Sequence, residues 1–182
     1  MATESSIRPI AASADATPVT FEELYAQHRH AVYSWARRYC GSDPADAEDL
    51  TSEVFIKLFT SMPEIDPARA GAWLYRVTAN LAISRGRARR SFLKRLGAVF
   101  FERLPPPHPV AVLEAREEMT HALEELDRLP ARERVVVCMK IVDGMTQIQI
   151  AEALALSQGH VSRLLARGFA RLRERGWELP DG

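Results

Sequence analysis

His160, Arg163, Arg167 and Arg171 recur at helical spacing within DGMTQIQIAEALALSQGHVSRLLARGFARLRER, residues 143–175. At about 100° per residue they share one face, and Val161, Leu165, Gly168 and Leu172 share the opposite one. Planar guanidinium forks suit bidentate contacts to guanine edges or to phosphate. Ser157 can cap this helix. Thr146 and Gln149 form a capping-box pair at the start of a shorter helix, whose buried side is Ile150, Ala151 and Leu154. A solvated face of an ordinary bundle helix would also tolerate arginine. A capped short helix, a three-residue turn and a basic outer face occurring together instead predict a helix-turn-helix that fits the major groove of DNA. Residues near the start of the second helix approach base edges in such docking. Gln158, His160 and Arg163 are therefore the candidate readers, Arg167 can make a bidentate contact to guanine, and Arg171 and Arg173 are phosphate contacts.

The formal net charge of the 182 residues is zero, which at first argues against a nucleic-acid binder. The distribution reverses that inference. Residues 43–66 hold seven acids against Lys57 alone, and residues 84–104 hold seven bases against Glu102 alone. Such segregation suits one acidic, protein-facing surface and separate basic, DNA-facing ones.

Other classes find little support. No Ser/His/Asp set, phosphate-cradling glycine loop or metal-ligand cluster is present, so neither enzymatic chemistry nor a cofactor is expected. His28 and His30 stand two apart in a helical pattern and point to different faces, which disfavours a metal site. No apolar run reaches the roughly eighteen residues that a membrane span needs. Residues 1–19 lack the apolar centre of a signal peptide. Cys40 and Cys138 sit in separate apolar patterns as small core residues, so a reduced, cytoplasmic setting is expected.

The elements that must position these groups are all helical. Thr20 and Glu23 open a helix that runs to Cys40 with Leu24, Val32, Trp35 and Ala36 to pack. Gly41 to Pro44 ends it, and Asp43-Pro44 starts the next. There Ala47, Leu50, Val54 and Leu58, flanked by Phe55 and Phe59, form an apolar arc beside an exposed strip of Asp46, Asp49, Glu53 and Lys57. A loop over Pro63–Gly71 precedes a third helix with Trp73, Leu74, Val77 and Leu81 on its apolar side. Four prolines between Pro105 and Pro109 cannot lie inside a helix and mark a linker. Helices follow over 114–128, 131–142, 146–154 and 157–175. The fold class is thus all-α, with two small helical domains over 20–90 and 114–176, a flexible linker over 91–113, and tails over 1–19 and 177–182.

Three segments together resemble the bacterial RNA polymerase sigma factors of the sigma-70 family, specifically the short extracytoplasmic-function group. DAEDLTSEVFIKLF (46–59) is similar to the polymerase-binding helix of region 2. GAWLYRVTANLAISRGRARR (71–90) is similar to the segment that melts and reads the −10 element. LPARERVVVCMKIVDGMTQIQIAEALALSQGHVSRLLARGFARLRE (129–174) is similar to region 4, which reads the −35 element. The resemblance implies that Asp46, Asp49, Leu50, Glu53, Lys57 and Leu58 bind core polymerase. It implies −10 contacts from Trp73, Tyr75, Arg76, Asn80, Ser84, Arg85, Arg87, Arg89 and Arg90. It implies −35 contacts from Ser157, Gln158, His160, Ser162, Arg163, Arg167, Arg171 and Arg173. The implied partners are core RNA polymerase (the clamp region of the β′ subunit and the β flap), promoter DNA and, as an optional addition, an anti-sigma factor. Trp73 fits a core position equally well. Three departures stand out: Ser84 where the family often carries an acid, Ala155 where the turn usually holds Gly, and no Thr-Val-x-Ser-Arg run in the recognition helix. The alternative class is a stand-alone helix-turn-helix regulator, which would have no use for the aromatic, Asn-bearing segment 71–90.

Overall fold

The computed structural model describes residues 19–41, 43–95 (side chains to 91) and 121–179. Thr20 caps α1 (Phe21–Cys40) through a reciprocal bond pair with Glu23, as its spacing predicts. The Asp43 carboxylate accepts from the Ala45 N–H to start α2 (Pro44–Ser61), with Pro44 in the first turn where its missing N–H costs nothing. The expected loop over Pro63–Gly71 is shorter than its prolines suggest. It contains two 3-10 turns, Met62–Glu64 and Pro67–Arg69, and α3 (Ala70–Arg95) begins immediately after them. The same helix continues five residues past Arg90, so the chain leaves the first domain later than the expected linker boundary. The proline run Pro105–Pro109 lies outside the described residues.

Val32, Ala36 and Tyr39 of α1, Leu50, Val54 and Leu58 of α2, and Leu74 and Ala79 of α3 close the first core. Burial on this scale contributes about 1.5–3 kcal/mol for each large apolar side chain. The second domain comprises α4 (helical over 121–127), α5 (Ala131–Ile141), α6 (Gln147–Leu154) and α7 (Gln158–Arg173). Trp177 and Leu179, expected in a tail, pack against the core, and the Trp177 ring stacks on His121 at 5.9 Å between centroids.

Helix α5 is buried at seven successive positions, Glu133 to Met139, so it has no solvated face over that stretch. A helix enclosed all round must have neighbours on both sides. Here α7 and α6 pack against it from its own domain, and α1 and α3 from the other. The two domains therefore form one packed body. Helices α3 and α5 run antiparallel, since Tyr75 meets Asp143 at one end while Gly86 lies against Ala131 at the other. A Cβ on Gly86 would collide with the Ala131 methyl, so glycine sets this close approach. Gly168 does the same within the second domain, where a Cβ would stand 2.6 Å from Val137 Cγ2.

Candidate nucleic-acid interface

The helix-turn-helix is built from its caps inward. The Thr146 hydroxyl accepts from the Gln149 N–H at 3.2 Å, and the Gln149 side chain accepts from the Thr146 N–H at 2.8 Å. Ala155 then turns the chain in the left-handed region (φ 52°, ψ 47°), and it is the non-glycine residue that does so among those described. The left-handed turn at which Gly was the expected residue is thus made with Ala, at a cost of about 1 kcal/mol. Ser157 caps α7 by accepting from the His160 N–H at 3.3 Å. Ile150, Ala151 and Leu154 of α6 and Val161, Leu165 and Leu172 of α7 are buried as their periodicity predicts. Leu164 and Phe169 are buried too, which makes the apolar face broader than the four positions first identified.

On the outer side of α7, Gln158, Ser162, Arg163, Arg167, Arg171 and Arg173 are exposed and His160 is half-buried. Two of these arginines are held from beneath. Glu133 of α5 accepts from Arg167 Nε at 3.2 Å with one carboxylate oxygen and pairs with Arg171 Nε at 3.1 Å through the other. A single buried carboxylate thus fixes two guanidinium groups on one helix face. Sequence reasoning missed Glu133, because a lone acid in the first turn of a helix carries no signal of a long-range partner.

Along α3, Arg76, Asn80, Ser84 and Arg87 form an exposed stripe, and Trp73 is half-buried against the core. Arg85 and Arg89 face α2 instead. Arg85 donates to Glu53 at 2.8 Å and to the carbonyls of Asp46 and Asp49, and Arg89 pairs with Asp46 at 3.5 Å. The acidic and basic segments read as separate surfaces are therefore partly in contact with each other. Arg90 stays on the exposed side with Arg87.

Two expectations for α2 are corrected. Leu50 and Leu58 are fully buried, so neither side chain can meet a partner protein. The apolar groups that α2 does present are Ile56 (63% exposed) and Phe59 (66%), beside Asp49 and Lys57. The arc drawn from Ala47 to Leu58 points inward, and only its edge is open.

Tyr75 is also corrected. Its hydroxyl donates to Asp143 at 2.7 Å, and its ring meets Trp35 edge-on at 4.9 Å. In this arrangement it cannot stack on a base. Asp143 also accepts from the Tyr39 hydroxyl at 3.1 Å and from Arg38 at 2.7 Å. Burial raises both phenol pKa values, so the hydroxyls remain protonated donors. Asp143 is the hub of the contact between the domains. Burial likewise pushes Cys40 up to about 11 and Cys138 up to about 12, which fits their expected role as inert core thiols.

The class that the geometry defines is an all-helical body pairing a capped helix-turn-helix with a second arginine-bearing helix, and the comparisons with known proteins narrow it. Residues 24–92 match the family description Sigma-70 region 2, and residues 126–174 match Sigma-70, region 4. The RNA polymerase sigma-E factor of Streptomyces coelicolor is 32% identical over 155 residues, covering 85% of this chain and 84% of that protein. The ECF RNA polymerase sigma factor SigE of Mycolicibacterium smegmatis is 31% identical over 157 residues and 85% of this chain, which spans 61% of that relative's length. The fold resembles that of the sigma factor RpoE of Bartonella quintana, solved with the anti-sigma factor NepR, at a TM-score of 0.63 and 21% identity over 85% of this chain and 94% of that one. The chain belongs to the sigma-70 family, in its extracytoplasmic-function group. Because both regions match, the stand-alone regulator is not favoured.

Proposed function

We propose that the chain is a transcription initiation factor that binds core RNA polymerase and directs it to promoters with particular −10 and −35 elements. The observation that carries this reading is the pairing of a helix-turn-helix with a second DNA-type helix in matched family order. In this reading α7 enters the major groove at the −35 element. Gln158, His160, Ser162 and Arg163 read base edges there, with Ser157 fixing the start of the helix. Arg167, held by Glu133, adds a guanine contact, and Arg171 and Arg173 bind phosphate.

The exposed stripe Arg76, Asn80 and Ser84 then serves the −10 element with Trp73, and Arg87 and Arg90 neutralise phosphates. An amide and an aromatic face can hold an unstacked base, at about 1–3 kcal/mol per stacked base. Tyr75, Arg85 and Arg89 join them only after leaving Asp143, Glu53 and Asp46. The polymerase contact is the α2 surface of Asp46, Asp49, Glu53 and Lys57, with Ile56 and Phe59 taking the place of Leu50 and Leu58. The β′ clamp region and the β flap are the proposed docking points, and an anti-sigma factor would compete for them. Among the described residues no helix is long and apolar enough to cross a membrane, and action beside the polymerase sets the proposed site in the cytoplasm.

The test is assembly. The chain should co-migrate with purified core polymerase on size exclusion, and Asp49→Lys should weaken the complex at least tenfold while helical content is unchanged. Failure of the wild-type chain to co-migrate would refute the reading.

A further inference from the structure

At the N-terminal end of α5, opposite the end held by Asp143, a cavity of about 380 Å³ opens between α3, α5 and α7. Arg87 and Arg90 line it from α3, Arg132 from α5, and His160 and Arg167 from α7. The single acid in the lining is Glu133, whose two oxygens are engaged by Arg167 and Arg171. Arg87, Arg90 and Arg132 have no ion pair among the described residues. The start of α5 adds to this positive field. Pro130 occupies its N-cap without a side-chain cap, which leaves backbone N–H donors at the rim beside Glu133, the one acid of that first turn.

Packing the two domains together therefore collects like charges from both DNA-facing segments into one cleft. A duplex cannot enter a space of this size, which instead falls in the range of small-ligand pockets, about 300–1,000 Å³. Repulsion among the exposed Arg87, Arg90 and Arg132, which have no ion pair among the described residues, is relieved by a compact, multiply charged anion. Planar guanidinium forks recognise phosphate oxygens bidentately, and a helix start offers N–H donors to the same group.

We propose that this interdomain cleft binds a short oligophosphate, the phosphate chain of a nucleotide or an inorganic one, which holds the two DNA-facing segments against each other. Because Arg87, Arg90, His160 and Arg167 are also the proposed promoter contacts, bound anion and promoter would exclude one another. The anion site itself does not depend on the polymerase reading, and it can be measured on the chain alone.

Isothermal titration calorimetry with inorganic tripolyphosphate, ATP and sulfate at matched ionic strength tests it. Tripolyphosphate should bind at least tenfold more tightly than sulfate. Equal binding of ATP assigns recognition to the phosphate chain alone, and tighter binding adds the nucleoside. Arg132→Glu should lose at least tenfold in tripolyphosphate affinity, and the milder Arg132→Gln several-fold, with unchanged helical content. Asp143→Asn, at the far end of α5, should also weaken binding several-fold by loosening closure while leaving every cleft residue in place. Tripolyphosphate binding no better than sulfate, or wild-type affinity in both Arg132 variants, would overturn the proposal.

Discussion

Glu133 and Asp143 show how much of the chemistry rests on single carboxylates whose partners are remote in sequence. Neither partner set was legible beforehand, because periodicity reports which face a residue occupies and not which distant side chain it meets. The side chains proposed for the −35 element were legible as a face, and the roles proposed for them differ in a measurable way. Arg163→Ala should relax preference at one base pair by about 1–3 kcal/mol. Arg173→Ala should weaken all promoters alike and lower the salt dependence by about one counterion. Binding to a panel of single-substitution −35 duplexes separates the two; the opposite pattern would mean that α7 sits rotated in the groove. At the turn, Ala155→Gly should raise stability by up to about 1 kcal/mol, read from urea unfolding, since a left-handed backbone suits glycine. The two raised thiols are expected to resist alkylation at pH 8 in the native chain, well below the roughly 11 and 12 at which they ionise. Rapid labelling of Cys138 without unfolding would show that α5 is not enclosed.

At the scale of elements, the capped helix starts were the most legible feature. Thr20, Asp43, Thr146 and Ser157 all cap where their spacing predicts. These interactions span two or three residues, so the local sequence contains both partners. Element edges set by tertiary packing were less legible, as in the extension of α3 to Arg95 and the two 3-10 turns that replace a loop. Leu50 and Leu58 show a further limit. Their apolar face was identified, but its assignment to an outside partner came from resemblance, while the core of this chain claims it. Helix α5 illustrates the converse. Its run VVVCM has no amphipathic period, which in hindsight signals enclosure on all sides. Close packing of α5 on α7 makes Gly168 sensitive: Gly168→Ala should cost about 1–3 kcal/mol, as overpacking does, and chemical denaturation checks it. Unchanged stability would imply that Val137 yields freely.

The whole molecule is a closed form in which domains joined by a proline-containing segment lie side by side. Asp143 binds one end of α5 to α1 and α3 through Arg38, Tyr39 and Tyr75, and Gly86 seats the other end. Hydrogen bonds to a charged group contribute about 1.5–3 kcal/mol each, so Asp143→Ala should shift the balance towards separated domains. Small-angle scattering would register that as a larger radius of gyration. An unchanged radius would show that α5 packing alone suffices. In the proposed function α3 and α7 address separate promoter elements, which predicts that this form opens on initiation.

Run-off transcription with purified core polymerase tests the central claim most directly. On templates carrying matched −35 and −10 elements, selected from genomic fragments, the wild-type chain should yield discrete transcripts that core polymerase alone does not. Asp49→Lys should abolish them through lost assembly, and Arg163→Ala should redistribute them among promoters. Tight binding of the chain to duplex DNA with no core-dependent transcript from any fragment would contradict the account.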